Sequence, residues 1–191
     1  MTLIRFTMTV RTIMRLAAPA AFVLAAACSA APPRTLPELQ SADAIPLHRE
    51  ILGTYSWRIT TRSPVAQGYF DQGLRLMYAY AVDEARQSFA QARTIDPNCA
   101  MCWWGEAWSL GSYLNGPMNP SDAPRAHAAV ERARALAANT TPVEQALIGA
   151  IATRYAPVHP AGGRRGLDSA YANAMAAVHQ RYPEHDDVAF A

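Results

Sequence analysis

Two cysteines three positions apart are the residues of this chain best suited to chemistry. Cys99 and Cys102 stand in the stretch DPNCAMCWWGEAW, residues 96–108. At the start of a helix, the helix dipole lowers the pKa of such a thiol, so this spacing allows a thioredoxin-like redox role. In an oxidising compartment, the same pair is expected to form a local structural disulfide.

Metal binding by these cysteines has less support in the sequence. A structural zinc site takes about four ligands, and the chain has neither a second C-x-x-C nor an H-x3-H pair. Covalent haem attachment needs a histidine directly after the second cysteine, where Trp103 stands. We therefore predict no metal and no cofactor, and keep redox chemistry and metal handling as alternatives to a structural role for Cys99 and Cys102.

The composition excludes several classes of function. Of the 191 residues, 51% are apolar, which favours a folded domain with a hydrophobic core. All seventeen basic residues are scattered arginines and the net charge is only +2, so no nucleic-acid partner is expected. Because the chain has no lysine, Schiff-base chemistry and a P-loop lysine are excluded. No serine, acid or histidine arrangement indicates catalysis, and we predict that the protein is not an enzyme.

The first residues have the order of a secretory signal. Residues 1–15 carry three arginines and no acid, and an apolar run follows at 16–27, which is shorter than the about 20 residues that a membrane span needs. The run ends LAAAC, which resembles the lipobox of bacterial lipoproteins and implies cleavage after residue 27 and lipidation of Cys28. Ordinary signal cleavage nearby is the alternative. Ser29 favours the outer membrane in the sorting scheme that this resembles.

A second segment, residues 28–46, is rich in proline and alanine and is predicted to be a tether. The folded domain is expected over 47–191. These features together predict an exported protein of the bacterial cell envelope, an outer-membrane lipoprotein that faces the periplasm and contacts the membrane only through its lipid anchor.

Within this domain, apolar residues recur at helical spacing from residue 65 onward and predict pairs of helices. The pattern resembles the tetratricopeptide repeat. In the first unit, Tyr69, Gly73, Ala85, Phe89 and Pro97 stand at its characteristic positions. The small residues Gly73 and Ala85 should let the two helices approach closely, with Phe89 filling the space between them. The resemblance implies an all-α fold, an α-solenoid of antiparallel helix pairs with about three units at 65–98, 99–138 and 141–184. Residues 185–191 are predicted to start a further repeat.

Start signals support the third unit. Thr141 can cap a helix, Pro142 fits the first helical position, and Glu144 completes a capping box. Together with AQGYFDQGL and EARQSFAQARTIDPNCAMCWWGEAW, this region resembles exported bacterial tetratricopeptide-repeat proteins, which are usually longer. The resemblance covers about 48–191 and implies a protein-binding scaffold and a truncated chain. At the turn 80–82, this chain departs from the Phe-Asn-His that such relatives often have.

Aromatic residues supply the candidate binding site. The repeat register implies that the first helix of each pair lines a concave surface, and Trp104 and Trp108, four apart, share one helical face. We predict a groove that binds a partner protein or peptide, with packing between the helices as the alternative role. The predicted groove residues are Phe70, Met77, Tyr78, Met101, Trp104 and Trp108. A periplasmic thiol-redox or metal-handling protein that uses Cys99 and Cys102 is the rival function.

Overall fold

The computed structural model describes residues 45–48, 51–113 and 116–191. These residues form seven α-helices, and short 3₁₀ turns at Pro120–Asp122 and Ala137–Asn139 flank the fourth: α1 Pro64–Tyr78, α2 Val82–Ile95, α3 Ala100–Ser109, α4 Ala123–Leu136, α5 Pro142–Ile151, α6 Arg165–Arg181 and α7 Asp186–Phe190. No β-strand occurs in these ranges, so the all-α prediction is confirmed. The predicted signal segment 1–27, the lipidation site Cys28 and most of the tether, 28–44, lie outside the described residues.

Local side-chain chemistry sets where the helices start. At α1, the Ser63 hydroxyl accepts a hydrogen bond from the Ala66 N–H at 3.1 Å, and proline occupies the first helical position. At α5, the predicted capping box is present, because the Glu144 carboxylate accepts from the Thr141 N–H at 2.8 Å and the Thr141 hydroxyl accepts from the Glu144 N–H. Both helices therefore begin where the sequence places a cap.

The helices pack in chain order, and every helix from α1 to α6 contacts the next one. In addition, α1 contacts α3, and α3 contacts α5. The odd-numbered helices α1, α3 and α5 therefore form one layer, and we call the side of it on which Asp71, Trp104 and Glu144 lie the inner face. In this part of the chain, no helix is both long enough and apolar enough to cross a bilayer.

The ring of Phe89, on α2, joins three helices. A Cβ atom added to Gly73 of α1 would lie 2.7 Å from this ring, and one added to Gly105 of α3 would lie 2.4 Å from it. The Phe89 side chain is fully buried, and Ala85 one turn earlier is buried as well. The predicted packing of Phe89 against Gly73 is confirmed. The same ring also packs against Gly105, which was not predicted.

A buried carboxylate also links neighbouring helices. Glu106 of α3 is buried and pairs with Arg93 of α2 and with Arg125 of α4, whose Nη2 lies 2.6 Å from Oε1. A buried charge is tolerated when it is paired and hydrogen-bonded. The two guanidinium groups satisfy this requirement and fix the order α2, α3, α4.

We expect Gly105→Ala to destabilise the fold by about 1–3 kcal/mol, because the new methyl group overlaps the Phe89 ring in a close-packed interior. Gly149→Ala is the matched control: this helical glycine of α5 is exposed and an added Cβ meets no atom within 4 Å. Helix propensity should make the control neutral or more stable by up to about 1 kcal/mol. Urea unfolding of both variants measures the difference. Equal unfolding free energies would mean that the contact between Phe89 and Gly105 does not stabilise the fold.

Candidate functional site

The inner face is covered by the chain itself. Residues 55–61, here called the cover segment, precede α1 and contain no helix. Trp57 and Ile59 are buried, whereas Ser56, Arg58 and Thr60 between and beside them are exposed. Alternation with a period of two is typical of an extended chain that lies on a surface.

Side chains of the helices bind the backbone of the cover segment. The Asp71 carboxylate on α1 accepts from the Trp57 N–H at 3.2 Å. Gln67, also on α1, accepts from the Ile59 N–H at 3.1 Å and donates to the Trp57 carbonyl at 2.9 Å. Glu144 on α5 accepts from the Thr60 N–H at 2.7 Å. Helix side chains therefore replace the neighbouring strand to which an extended chain would otherwise bond.

The same carboxylates hold hydroxyl groups of the cover segment. The Ser56 hydroxyl donates to Asp71 at 2.7 Å, and the Thr60 hydroxyl donates to Glu144 at 2.6 Å. Burial raises the pKa of Asp71, while the hydrogen bonds from Ser56 and Gln67 act in the opposite direction. Both oxygen atoms of each carboxylate are thus engaged by the segment that they hold.

The Trp57 indole is the apolar anchor of the cover segment. Its ring centroid lies 5.9 Å from Phe70 of α1 and 6.2 Å from Trp104 of α3, in edge-to-face arrangements. His185, directly before α7, contacts the same ring at 5.0 Å. Trp104 in turn stacks on Trp108 at 5.1 Å. Such aromatic pairs add about 0.5–1.5 kcal/mol each beyond the area that they bury.

The structure brings the six predicted groove residues into one cluster but does not leave them open. Phe70, Met101 and Trp104 are 0–1% exposed, so their prediction as the lining of an accessible groove is wrong. Met77 and Trp108 are also buried, and Tyr78 is half-buried. Trp57 covers Phe70 and Trp104, and Phe190 of α7 packs against Tyr78 and Trp108.

Trp57 lies at the centre of this candidate site but was not predicted from the sequence. The stretch SWRIT alternates polar and apolar residues directly before the Ser63-Pro64 helix start. That alternation was the available signal for an extended segment. It does not reveal which surface the apolar side chains meet.

Helix α7 closes one end of the cluster. Its Asp187 is buried and accepts hydrogen bonds from the hydroxyl of Tyr55 at 3.0 Å and from that of Tyr78. Phe190 packs edge-on against Tyr78 at 4.1 Å and against Trp108 at 6.0 Å. Burial and the Asp187 carboxylate raise the pKa of Tyr55 to about 12 and raise that of Tyr78 further.

The cysteine pair lies at the start of α3. Cys99 and Cys102 form a disulfide, both residues are fully buried, and the Cys102 N–H donates to the Cys99 sulfur at 3.1 Å. Thiol–disulfide exchange needs access for an attacking thiolate, which this burial denies. Within the described residues, no group of three or more His, Cys, Asp or Glu side chains is arranged to hold a metal ion.

Comparisons of the chain with protein-family models, with curated proteins and with solved structures find no match. The tetratricopeptide resemblance of the units 65–98, 99–138 and 141–184 therefore stays a prediction. Functional inference depends on the geometry of the inner face.

Removing the Asp71 carboxylate should release the cover segment. We expect Asp71→Ala to lower the free energy of unfolding by about 1–3 kcal/mol, because the buried Trp57 N–H loses its acceptor. Asp71→Asn keeps an acceptor oxygen for this N–H and should cost less than half as much. Urea unfolding of the two variants makes the comparison, and an equal loss in both would mean that the backbone hydrogen bond does not matter.

Alkaline pH should destabilise the α7 end of the site. The raised tyrosine pKa values mean that, above the ordinary value of 10.0, Tyr55 and Tyr78 ionise in the unfolded chain before they do so in the folded one. Stability is therefore fully retained below pH 10 and is lost as the pH rises toward 12. Phenylalanine at both positions should make this loss shallower, with the remaining slope due to Tyr155 and Tyr171, whose pKa values burial also raises. Urea unfolding at pH 9, 10 and 11 measures how the free energy of unfolding changes with pH in the wild type and in the double variant. Equal slopes in the two proteins would contradict the prediction.

Proposed function

We propose that this protein is an exported helical-repeat scaffold of the bacterial cell envelope that holds an extended segment of a partner polypeptide on its inner face. One observation carries the proposal: Asp71, Gln67 and Glu144 bind backbone groups of an extended chain laid across α1, α3 and α5. In the structure, that chain is the protein's own cover segment.

The geometry matches the requirements of peptide recognition. Hydrogen bonds to main-chain groups supply affinity for any extended chain, and pockets for alternate side chains supply specificity. Asp71 and Gln67 provide the first element, and the Phe70–Trp104 surface that receives Trp57 provides the second. A partner segment is therefore expected to carry an aromatic residue flanked by small hydroxylated residues.

The architecture supports a tetratricopeptide-like α-solenoid. Consecutive packing of α1 to α6, with direct contacts among α1, α3 and α5, is the arrangement expected of stacked helix pairs. In such an array, the first helices of successive pairs form a common binding surface. We assign the units to 65–98, 99–138 and 141–184, with α7 as the start of a further unit.

Location in the envelope is supported by the N-terminal sequence. A basic and then apolar segment at 1–27, the LAAAC stretch that ends at Cys28, and the tether 28–46 together favour a lipid anchor on the outer membrane. We propose that the scaffold faces the periplasm. The buried disulfide at Cys99 and Cys102 suits a structural role in that oxidising compartment.

The partner has to compete with the cover segment. A segment joined to its binding surface by a short linker has an effective concentration on the order of millimolar. A free peptide must therefore exceed that concentration or bind with more contacts. We therefore expect the proposed scaffold to select partner segments that make more contacts with the inner face than the cover segment does.

A synthetic peptide that copies residues 54–62, TYSWRITTR, tests the proposal. We expect it to bind the full-length Trp57→Ala variant about tenfold more tightly than the wild type, because the variant's own segment no longer fills the aromatic surface. Fluorescence anisotropy of the labelled peptide measures both dissociation constants.

Matched controls separate the binding face from general effects of the substitution. Trp103→Ala removes a tryptophan that stacks under Arg93 and donates to the Pro97 carbonyl, so this variant should bind the peptide as weakly as the wild type. A peptide with alanine in place of its tryptophan should bind neither protein. Equal binding of TYSWRITTR to wild type and Trp57→Ala, or no binding to either, would refute the proposed function.

A further inference from the structure

The aromatic surface that receives Trp57 contains a buried polar atom without a hydrogen-bond partner. Trp104 is 1% exposed, and its indole Nε1–H has no acceptor among the described residues. Buried polar groups in folded proteins are nearly always hydrogen-bonded, because a donor that leaves water unpaired costs free energy. The exception therefore concerns a residue that the cover segment touches directly.

The aromatic rings that pack on Trp104 cannot supply the acceptor. Trp57 lies edge-to-face with it at 6.2 Å, and Trp108 stacks on it at 5.1 Å. An indole ring is a hydrogen-bond donor only. Of these two rings, Trp108 belongs to α3 and stays in place, whereas Trp57 belongs to the cover segment. When a partner segment replaces the cover segment, the residue at the place of Trp57 is therefore the one that can bring an acceptor.

A second polar atom beside Trp57 also lacks a partner. The His185 ring contacts the Trp57 indole at 5.0 Å, and its Nδ1 atom is buried and makes no hydrogen bond within the described part of the chain. The Oδ2 atom of Asp187 lies 3.8 Å from it, beyond hydrogen-bonding distance. Two ring nitrogens next to Trp57 are thus unpaired while a tryptophan fills the site.

We propose that this aromatic surface selects tyrosine as the anchor residue of the partner segment. The inference rests on the proposed function, because it concerns the side chain that takes the place of Trp57. A phenol ring keeps the edge-to-face contacts with Phe70 and Trp104. Its hydroxyl both accepts and donates, so it can accept from the Trp104 N–H and can also pair with His185. Tryptophan and phenylalanine bring no acceptor for the Trp104 N–H.

This preference affects the exchange between the cover segment and a partner. With Trp57 in place, the cover segment forgoes a hydrogen bond that a tyrosine segment makes. A partner gains this hydrogen bond when it displaces the cover segment, and the gain offsets part of the advantage that the linked segment has through its high effective concentration. The surface therefore distinguishes a tyrosine segment from other aromatic segments.

Three peptides that differ only in the anchor residue test the proposal: TYSWRITTR, TYSYRITTR and TYSFRITTR. On the full-length Trp57→Ala variant, we expect the tyrosine peptide to bind at least about tenfold more tightly than the phenylalanine peptide, because a buried donor left unpaired penalises the analogue without the hydroxyl. Fluorescence anisotropy of the labelled peptides measures the three dissociation constants. Equal binding of the tyrosine and phenylalanine peptides, with the tryptophan peptide bound, would refute the tyrosine preference and leave the proposed function intact. No binding of any peptide would refute both.

Two further substitutions in the Trp57→Ala protein assign the preference to Trp104. Trp104→Phe keeps an aromatic ring but removes the N–H, so the tyrosine and phenylalanine peptides should then bind equally. Trp103→Phe is the matched control, because its indole N–H already donates to the Pro97 carbonyl at 3.0 Å, and it should keep the tenfold preference. A tyrosine preference that survives Trp104→Phe in a folded protein would overturn the assignment.

A second readout needs no substitution of Trp104. In the Trp57→Ala protein, the Trp104 indole N–H should exchange with solvent more slowly when the tyrosine peptide is bound than when the phenylalanine peptide is bound, because a hydrogen-bonded N–H is protected. Nuclear magnetic resonance of the indole N–H signals at saturating peptide measures both rates. Equal rates would refute the proposed hydrogen bond.

Discussion

The close contact of Phe89 with two glycines determines how the inner face is built. Because Gly73 and Gly105 have no side chains, the ring of α2 seats directly against the backbones of α1 and α3. Because the interior is close-packed, this contact fixes the position of each helix relative to the next one. It sets α1 beside α3, so that Phe70 and Trp104 present one continuous aromatic surface to Trp57. The ion pairs of buried Glu106 continue the same order to α4.

An aromatic surface of this size is costly to leave in water, and the chain covers it with its own residues 55–61. The cover is held by polar clamps as well as by apolar contact, since Asp71 and Glu144 each bind a backbone N–H and a hydroxyl of the segment. Any extended segment buried on this face needs partners for its backbone N–H groups, and Asp71, Gln67 and Glu144 supply them. Under the proposed function, the same groups would bind an extended segment of a partner in place of the protein's own segment.

Features that depend on neighbouring residues could be predicted from the sequence, and those that depend on distant contacts could not. The Thr141–Glu144 capping box and the Phe89–Gly73 packing follow from local spacing, and the structure contains both. The six aromatic and methionine residues of the predicted groove lie on α1 and α3. Their burial agrees with the alternative of packing between the helices, but the cover by Trp57 was not foreseeable, because periodicity within α1 and α3 carries no information about a segment that lies outside the repeat. The contact between Arg154 and Gly111 likewise joins residues that are far apart in the sequence, and no sequence pattern predicts it.

The central claim is that side chains of the inner face bind the backbone of an extended segment. Its most direct test is native-state hydrogen exchange of the backbone amides of Trp57, Ile59 and Thr60. These three N–H groups donate to Asp71, Gln67 and Glu144. We expect all three amides to be protected and to open together, with one free energy of opening that is smaller than that of global unfolding, because the segment leaves the face as a unit before the helices unfold. Exchange of these amides at the rates of an unstructured peptide would contradict it.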